Sequence, residues 1–301
     1  MTRTARLALV AVLALLSGCQ ALQVAIANLP ALGAPRRDDV RYAAGPRGGM
    51  DYYLPPKAAR AAPARPLVIF WYGGGFTSGD RADYRFAGAA LAREGYVTVL
   101  PDYRLYPEVR FPQFLEDAAR AVVAAHRGAT VLGTDASRIV LMGHSAGAYI
   151  AAMLALEPAY LRAAGGDPAW IAGFVGLSGP YDIDPNTPVL DRIFRDTGTP
   201  RDYKPLAHVT SRAPPALLLH GADDALVGAR QTRQLEAALQ AAGVPVTAKV
   251  YAHRGHVDTV AALALAARYR APVLSDVAAF LRDLSGSPGP SSAAPERTYA
   301  P

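Results

Sequence analysis

The chain has 301 residues, 51% of them apolar, with 31 Lys and Arg against 25 Asp and Glu, a formal net charge of +6. That length and apolar content allow one large domain with an ample core. The charge is spread without any Lys/Arg block, which excludes a nucleic-acid footprint, and no internal repeat is evident.

The N-terminus carries the first informative pattern. Arg3 and Arg6 precede an apolar run of ten residues, Leu7 to Leu16. Ten residues suit the core of a signal peptide and are too few to span a bilayer. Leu16-Ser17-Gly18-Cys19 follows. It resembles the bacterial lipobox, in which the peptide is cleaved before the cysteine and lipid is attached to it. Cys19 is the one cysteine in the chain, so no disulfide forms and the thiol sits where acylation is expected. The expectation is a signal peptide over 1–18, a lipidated tether over 19–38, and membrane attachment through Cys19. Pro30, Gly33 and Pro35 discourage regular structure in that tether. An uncleaved membrane helix and ordinary secretion are the alternatives. Gln20 is not the Asp associated with inner-membrane retention, so the expected place is the cell envelope, on an outer membrane and facing the periplasm.

Segments near 39–43 and 50–54 read as antiparallel edge strands. Apolar runs at 66–71, 97–102, 138–142, 172–178, 215–220 and 246–251 read as strands buried on both faces. Helix-period segments lie between most of them: Tyr84 to Glu94, Phe114 to Arg127, Ala146 to Leu156, Ala229 to Ala242 and Leu274 to Leu284. This alternation predicts an α/β domain over 39–284, with a mostly parallel sheet and helices on both faces. The one sizeable excursion, 181–212, is loop-rich and is expected to form a small lid. Residues 285–301 are a Pro/Ser/Gly/Ala tail expected to be disordered.

Three loops after strands carry chemistry. Gly143-His144-Ser145-Ala146-Gly147, between strand and helix, has the Gly-x-Ser-x-Gly spacing of a nucleophile elbow. The sharp turn forces strained backbone angles on Ser145, and the glycines let strand and helix approach closely. A serine nucleophile needs a histidine base, an acid and an oxyanion hole. For the acid, Asp224 is preferred to Asp223 in the loop after 215–220, with Asp182 a third candidate. For the base, His256 is preferred to His253. His144 is expected to pack beneath the elbow, and His220 to bond locally. Tyr72-Gly73-Gly74-Gly75-Phe76 offers the amides of Gly74 and Gly75, with that of Ala146, to an oxyanion. No tight His/Cys/Asp spacing suits a metal, and the chemistry calls for no cofactor. Each of these loops falls at the C-terminal end of a strand, where open α/β sheets bind ligands.

These residues resemble the α/β-hydrolase superfamily, in its esterase/lipase branch related to hormone-sensitive lipase and bacterial carboxylesterases. Tyr72-Gly73-Gly74-Gly75-Phe76 is similar to the family's His-Gly-Gly-Gly-Phe/Trp. Asp102-Tyr103-Arg104-Leu105-Tyr106-Pro107-Glu108 is similar to its Asp-Tyr-Arg-Leu-Ala-Pro-Glu, and Phe111-Pro112 to Glu116-Asp117-Ala118 looks like the segment that follows. His220-Gly221-x-x-Asp224-x-x-Val227 matches its acid loop, which favours Asp224. Two departures stand out: Tyr72 replaces the usual histidine, and the full cap is missing. The resemblance implies a serine carboxylesterase acting on short-chain or aryl esters, with Ser145, Asp224 and His256 as the triad. An arylformamide or other amide hydrolase on the same triad, and an envelope-tethered binding protein without activity, are the alternatives.

Overall fold

The computed structural model describes residues 26–31, 33–56, 65–129, 132, 134–195 and 199–286. The expected signal peptide, Cys19 and residues 287–301 of the expected tail lie outside the described residues. Eight strands form one sheet: β1 (Arg36–Arg41), β2 (Gly49–Tyr53), β3 (Pro66–Trp71), β4 (Thr98–Pro101), β5 (Asp135–His144), β6 (Ile171–Leu177), β7 (Ala216–Gly221) and β8 (Val246–Tyr251). Their order is β1-β2-β4-β3-β5-β6-β7-β8. The pairs β1–β2 and β2–β4 are antiparallel and all others parallel. The expected α/β-hydrolase sheet is therefore present, with both antiparallel pairs at one edge.

Eight helices accompany it among the described residues: α1 (Arg85–Arg93), α2 (Gln113–Ala129), α3 (Ala146–Leu156), α4 (Pro158–Ala163), α5 (Pro188–Phe194), α6 (Arg230–Ala241), α7 (Asp258–Ala261) and α8 (Val273–Gly286). The strands pleat, so successive side chains enter opposite layers. Val68 and Phe70 of β3, with Val140 and Met142 of β5, pack against Leu91 of α1 and Val277 and Leu281 of α8. Leu67, Ile69 and Trp71, with Ile139 and Leu141, pack against Phe114 and Val122 of α2, Tyr149 of α3 and Leu235 of α6. Helix α3 is apolar on every side and buried along nearly its whole length, as a helix at the centre of a core must be.

The N-terminal segment differs from the expected tether. Residues Leu29–Ala31 form a 3-10 turn, Ala31 is buried, and β1 begins at Arg36. The cause is Asn28. Its Oδ1 accepts the Phe86 N–H at 2.9 Å, and its Nδ2 donates to the carbonyls of Ala82 (3.2 Å) and Asp83 (3.1 Å). Tyr84, at the start of α1, offers no side-chain cap, so Asn28 satisfies an amide that the helix leaves free. At the other end, residues 285 and 286 belong to α8 and not to a disordered tail.

Two buried ion clusters explain the Asp102-Tyr103-Arg104 stretch. Arg81 donates through Nε to Asp51 (3.0 Å), through Nη1 to Asp102 and through Nη2 to Asp39 (3.0 Å). Its backbone N–H adds a bond to Asp102 Oδ1 at 3.0 Å. One cation thus ties β1, β2 and the end of β4 together. Arg104 grips Asp117 of α2 in a two-pronged pair, both bonds 2.8 Å. Between them Tyr103 stacks on Tyr72, ring centres 4.7 Å apart.

Asp51 and Asp102 are buried, and a buried carboxylate without its cation costs far more than an exposed one. Arg81→Met should therefore destabilise the fold by about 3–5 kcal/mol. Urea denaturation reads this directly: the midpoint should drop with little change in slope, and an unshifted midpoint would show that the cluster is not a structural clamp.

Candidate active site

Ser145 joins β5 to α3 with φ 55° and ψ −120°. A non-glycine residue there carries strain on the order of 1–3 kcal/mol. The turn is held from both sides. The Ser145 N–H donates to Leu177 O (2.9 Å) on β6, and the Tyr149 N–H donates to Ser145 O (3.0 Å). The flanking glycines permit the approach that creates the turn. A Cβ on Gly143 would lie 2.2 Å from Gly147 O, and one on Gly147 would lie 2.1 Å from Trp71 O of β3. Both contacts are with backbone, which cannot yield locally.

His256, in the loop after β8, reaches Ser145. Its Nε2 lies 2.8 Å from Ser145 Oγ, and its Nδ1 lies 2.8 Å from Asp224 Oδ2. The ionised carboxylate can only accept, so Nδ1 carries the proton and Nε2 is free to accept from the serine hydroxyl. Asp224 Oδ1 accepts the amides of Leu226 (3.0 Å) and Val227 (2.8 Å). Burial works to raise the Asp224 carboxyl. The hydrogen bonds from His220, His256 and the Val227 amide outweigh it and hold this acid well below the usual carboxylate range.

The rival candidates are elsewhere. Asp223 and His253 face solvent and approach each other only to 3.8 Å. Asp182 is engaged by Lys204 Nζ at 2.7 Å. Gly73 brings the glycine loop beside the serine: a Cβ there would sit 3.0 Å from Ser145 Cβ. The Gly73 amide is already bonded to Tyr84 Oη at 3.3 Å. The amides of Gly74, Gly75 and Ala146 have no hydrogen-bond partner among the described residues. Gly74 takes φ +133°, a conformation that only glycine adopts readily. Tyr72, which replaces the family's usual histidine, is buried. Its hydroxyl accepts from Arg47 Nη1 (3.0 Å), and its carbonyl accepts from Tyr103 Oη (3.1 Å).

Three polar side chains behind the triad complete its support. His220 Nε2 donates to Val227 O (2.6 Å) and lies 3.1 Å from Asp224 Oδ2; its Nδ1 accepts from Thr232 Oγ1 at 2.8 Å. His144 Nε2 donates to the His256 carbonyl at 3.1 Å, and its Nδ1 accepts from the Tyr84 hydroxyl at 3.2 Å. A chain of bonds therefore runs from the Gly73 amide through Tyr84 and His144 to the backbone of His256. Sequence reasoning placed His144 beneath the elbow and His220 in local bonds. It missed that they join the glycine loop to the base and hold the acid. The spacing His220-x-x-x-Asp224 was the available signal for the second, while nothing in the sequence marks Tyr84.

The 181–212 excursion packs down as a small cover. Phe194 of α5 meets Phe76 of the glycine loop (5.6 Å between ring centres) and Tyr149 of α3 (5.8 Å). The Tyr149 hydroxyl donates to Tyr203 O at 2.7 Å. A separate surface cleft of about 1070 Å³ lies at the opposite end of the sheet, beside Arg138 and Trp170, and touches no member of the triad. Among the described residues no cluster of His, Cys, Asp or Glu is placed to hold a metal ion.

The family model for BD-FAE matches residues 50–239, which include the serine, the acid and the glycine loop. The chain belongs to the BD-FAE family. It is 28% identical over 248 residues to isoprenylcysteine alpha-carbonyl methylesterase ICME of Arabidopsis thaliana, covering 74% of this chain and 56% of that protein. It is 31% identical over 195 residues to esterase LipC of Mycobacterium tuberculosis, covering 58% and 48%. The chain spans about half the length of these curated relatives. Among solved structures, esterase B from Lactobacillus rhamnosis superposes with a TM-score of 0.76 at 20% identity, covering 91% of this chain and 94% of that one. Thermogutta terrifontis esterase 2 does so with 0.69 at 24%, covering 87% and 98%. These superpositions establish the α/β-hydrolase fold.

The buried His144 has a measurable consequence. Burial, reinforced by the neighbouring His256, pushes its imidazole down to about 3. The same ring in an unfolded chain titrates near 6.5. Between those values the unfolded state binds the extra proton, so stability falls as pH drops from about 6.5 towards 3. His144→Gln removes this titration, and its denaturation midpoint should fall less steeply than wild type between pH 7 and 4. Equal slopes would assign the acid sensitivity to other groups.

Proposed function

We propose that this protein is a serine carboxylesterase that cleaves short-chain or aryl carboxylic esters through an acyl-enzyme. The observation that carries the reading is the unbroken line of hydrogen bonds Ser145–His256–Asp224, both 2.8 Å, beside the unpartnered amides of Gly74, Gly75 and Ala146. Two relatives named as esterases support the ester bond as target.

In this mechanism His256 Nε2 takes the Ser145 proton as Oγ attacks the ester carbonyl carbon. Asp224 stabilises the resulting imidazolium and does not itself take the proton. The free amides receive the oxyanion of the tetrahedral intermediate, each worth on the order of 3 kcal/mol of barrier. His256 then gives its proton to the departing alcohol. Water repeats the sequence on the acyl-enzyme and releases the acid. The aromatic cover built on Phe76, Phe194 and Tyr149 supports a preference for small acyl groups. The lipobox-like Leu16-Ser17-Gly18-Cys19 supports anchoring in a bacterial cell envelope through a lipid on Cys19.

The test is hydrolysis of p-nitrophenyl esters from acetate to palmitate, beside Ser145→Ala. Turnover should fall with chain length, and the variant should lose a factor on the order of 10⁵ to 10⁶. Inactivity on esters with turnover of an arylformamide would move the reading to amide bonds. Inactivity on both, together with no labelling by a fluorophosphonate, would leave a binding protein on a hydrolase fold.

A further inference from the structure

Among the described residues, four of the large exposed apolar side chains, Leu226, Val257, Leu265 and Tyr269, lie in loops tied to the acid and the base. Leu226 follows Asp224 by two residues and Val257 adjoins His256, in two loops joined by the Asp224–His256 bond. Arg270 pairs with Asp258, and its carbonyl accepts from Arg254 Nε. These bonds tie the turn Leu265–Arg270, with exposed Leu265 and Tyr269, to the His256 loop. Val189 stands on α5, the helix whose Phe194 covers the glycine loop. Ile26 and Leu29 flank Asn28, which is bonded to Ala82, Asp83 and Phe86 on either side of Tyr84. Tyr269 is 80% exposed and Leu226 75%. The opposite end presents the cleft lined by Arg138, Arg162, Arg201 and Arg212. A surface bathed evenly by water scatters its apolar residues; one that gathers them marks an interaction site.

Charge and chain geometry identify the partner. The Arg254 guanidinium donates only to carbonyls, those of Arg270 and His253, and the Arg230 guanidinium at the start of α6 has no hydrogen-bond partner among the described residues. Arg254 lies three residues before Val257 and Arg230 four residues after Leu226, cations close in the chain to apolar side chains, as suits phosphate groups over acyl chains. Six residues separate Cys19 from Ile26, a span of at most about 25 Å. Asn28, two residues beyond Ile26, is bonded beside Tyr84, whose hydroxyl meets the Gly73 amide, so a lipid on Cys19 would bring a bilayer within reach of the Ser145 end. A single attachment is reinforced by a second contact of this kind.

We propose that the Ser145 end of the molecule docks on an anionic phospholipid bilayer and draws an amphiphilic ester from it. Leu226, Val257 and Leu265 enter the interface, and Tyr269 lies at headgroup depth with its hydroxyl in water. The acyl group enters the site while the rest of the substrate stays in the bilayer. The substrate half of this inference rests on the ester-hydrolase reading; the docking half does not.

The experiment uses the full chain and vesicles of phosphatidylcholine and phosphatidylglycerol with brominated acyl chains. Tyr269→Trp places a reporter in the turn; the two native tryptophans are Trp71, fully buried, and Trp170, at the opposite end. Emission of the variant should fall by half or more against unbrominated vesicles, with little change in wild type. Equal quenching in the two proteins overturns the docking, and equal quenching in pure phosphatidylcholine overturns the need for anionic lipid. A second variant combines Leu265→Ser with Tyr269→Ser, outside the catalytic groups. It should keep turnover of a dissolved p-nitrophenyl ester and lose at least fivefold on a bilayer-embedded one. Equal losses on both substrates, or none on either, overturn the proposal. A wild type inactive on the dissolved ester would fail the hydrolase reading alone, and the quenching would still decide the docking.

Discussion

Everything at the Ser145 end depends on how closely α3 can approach β3 and β5. The helix starts one residue after its strand stops, with no loop between them. Backbone therefore presses on backbone: Gly147 against the Trp71 carbonyl, Gly143 against Gly147. The cost is a serine held at φ 55°. It is offset by burial of an entire apolar helix, eleven residues long, because each fully buried aliphatic side chain contributes about 1.5–3 kcal/mol. A strain that the core over-determines in this way persists, and the reactive hydroxyl stays within hydrogen-bond reach of His256.

The same end gathers several buried polar side chains that hydrogen-bond to one another and to the loops. His220, His144 and Tyr84 each use two or more hydrogen-bonding contacts, and each has at least one contact with a loop that bears on the triad. In an interior of low dielectric such bonds strengthen one another, and an unpaired member would be costly. The three loops after β3, β7 and β8 come from distant parts of the chain. They hold a common geometry because neutral side chains beneath them accept and donate in fixed directions.

Much of this was legible in the sequence, and for identifiable reasons. The parallel strands announced themselves as apolar runs because they are covered on both faces. The elbow was legible because its constraint is local: two glycines and a serine at fixed spacing. Asp224 and His256 followed from the order of loops and the acid-loop pattern; in space His256 reaches Ser145 and Asp224 reaches His256. The N-terminal segment was misread, since prolines at 30 and 35 suggested a plain tether. What orders it is one asparagine meeting a helix end more than fifty residues away. Tyr84 was invisible for the same reason: its neighbours His144 and Gly73 are assembled only by the sheet. Short-range signals survive in a sequence, whereas a single polar contact between remote segments leaves no periodicity to detect.

The docking of Asn28 also sets how the molecule bears load. Tension on the chain ahead of Ile26 does not run into the sheet. It is met first by the three hydrogen bonds of Asn28 to Ala82, Asp83 and Phe86 at the start of α1. Behind them stand β1, paired at both its ends with β2, and the Arg81 cluster that clamps both to the end of β4. A drag on the N-terminus is thus absorbed at the first turn of one helix and the edge of the sheet. The strands that carry Ser145, Asp224 and His256 lie farther across the sheet, mechanically downstream of that shock absorber.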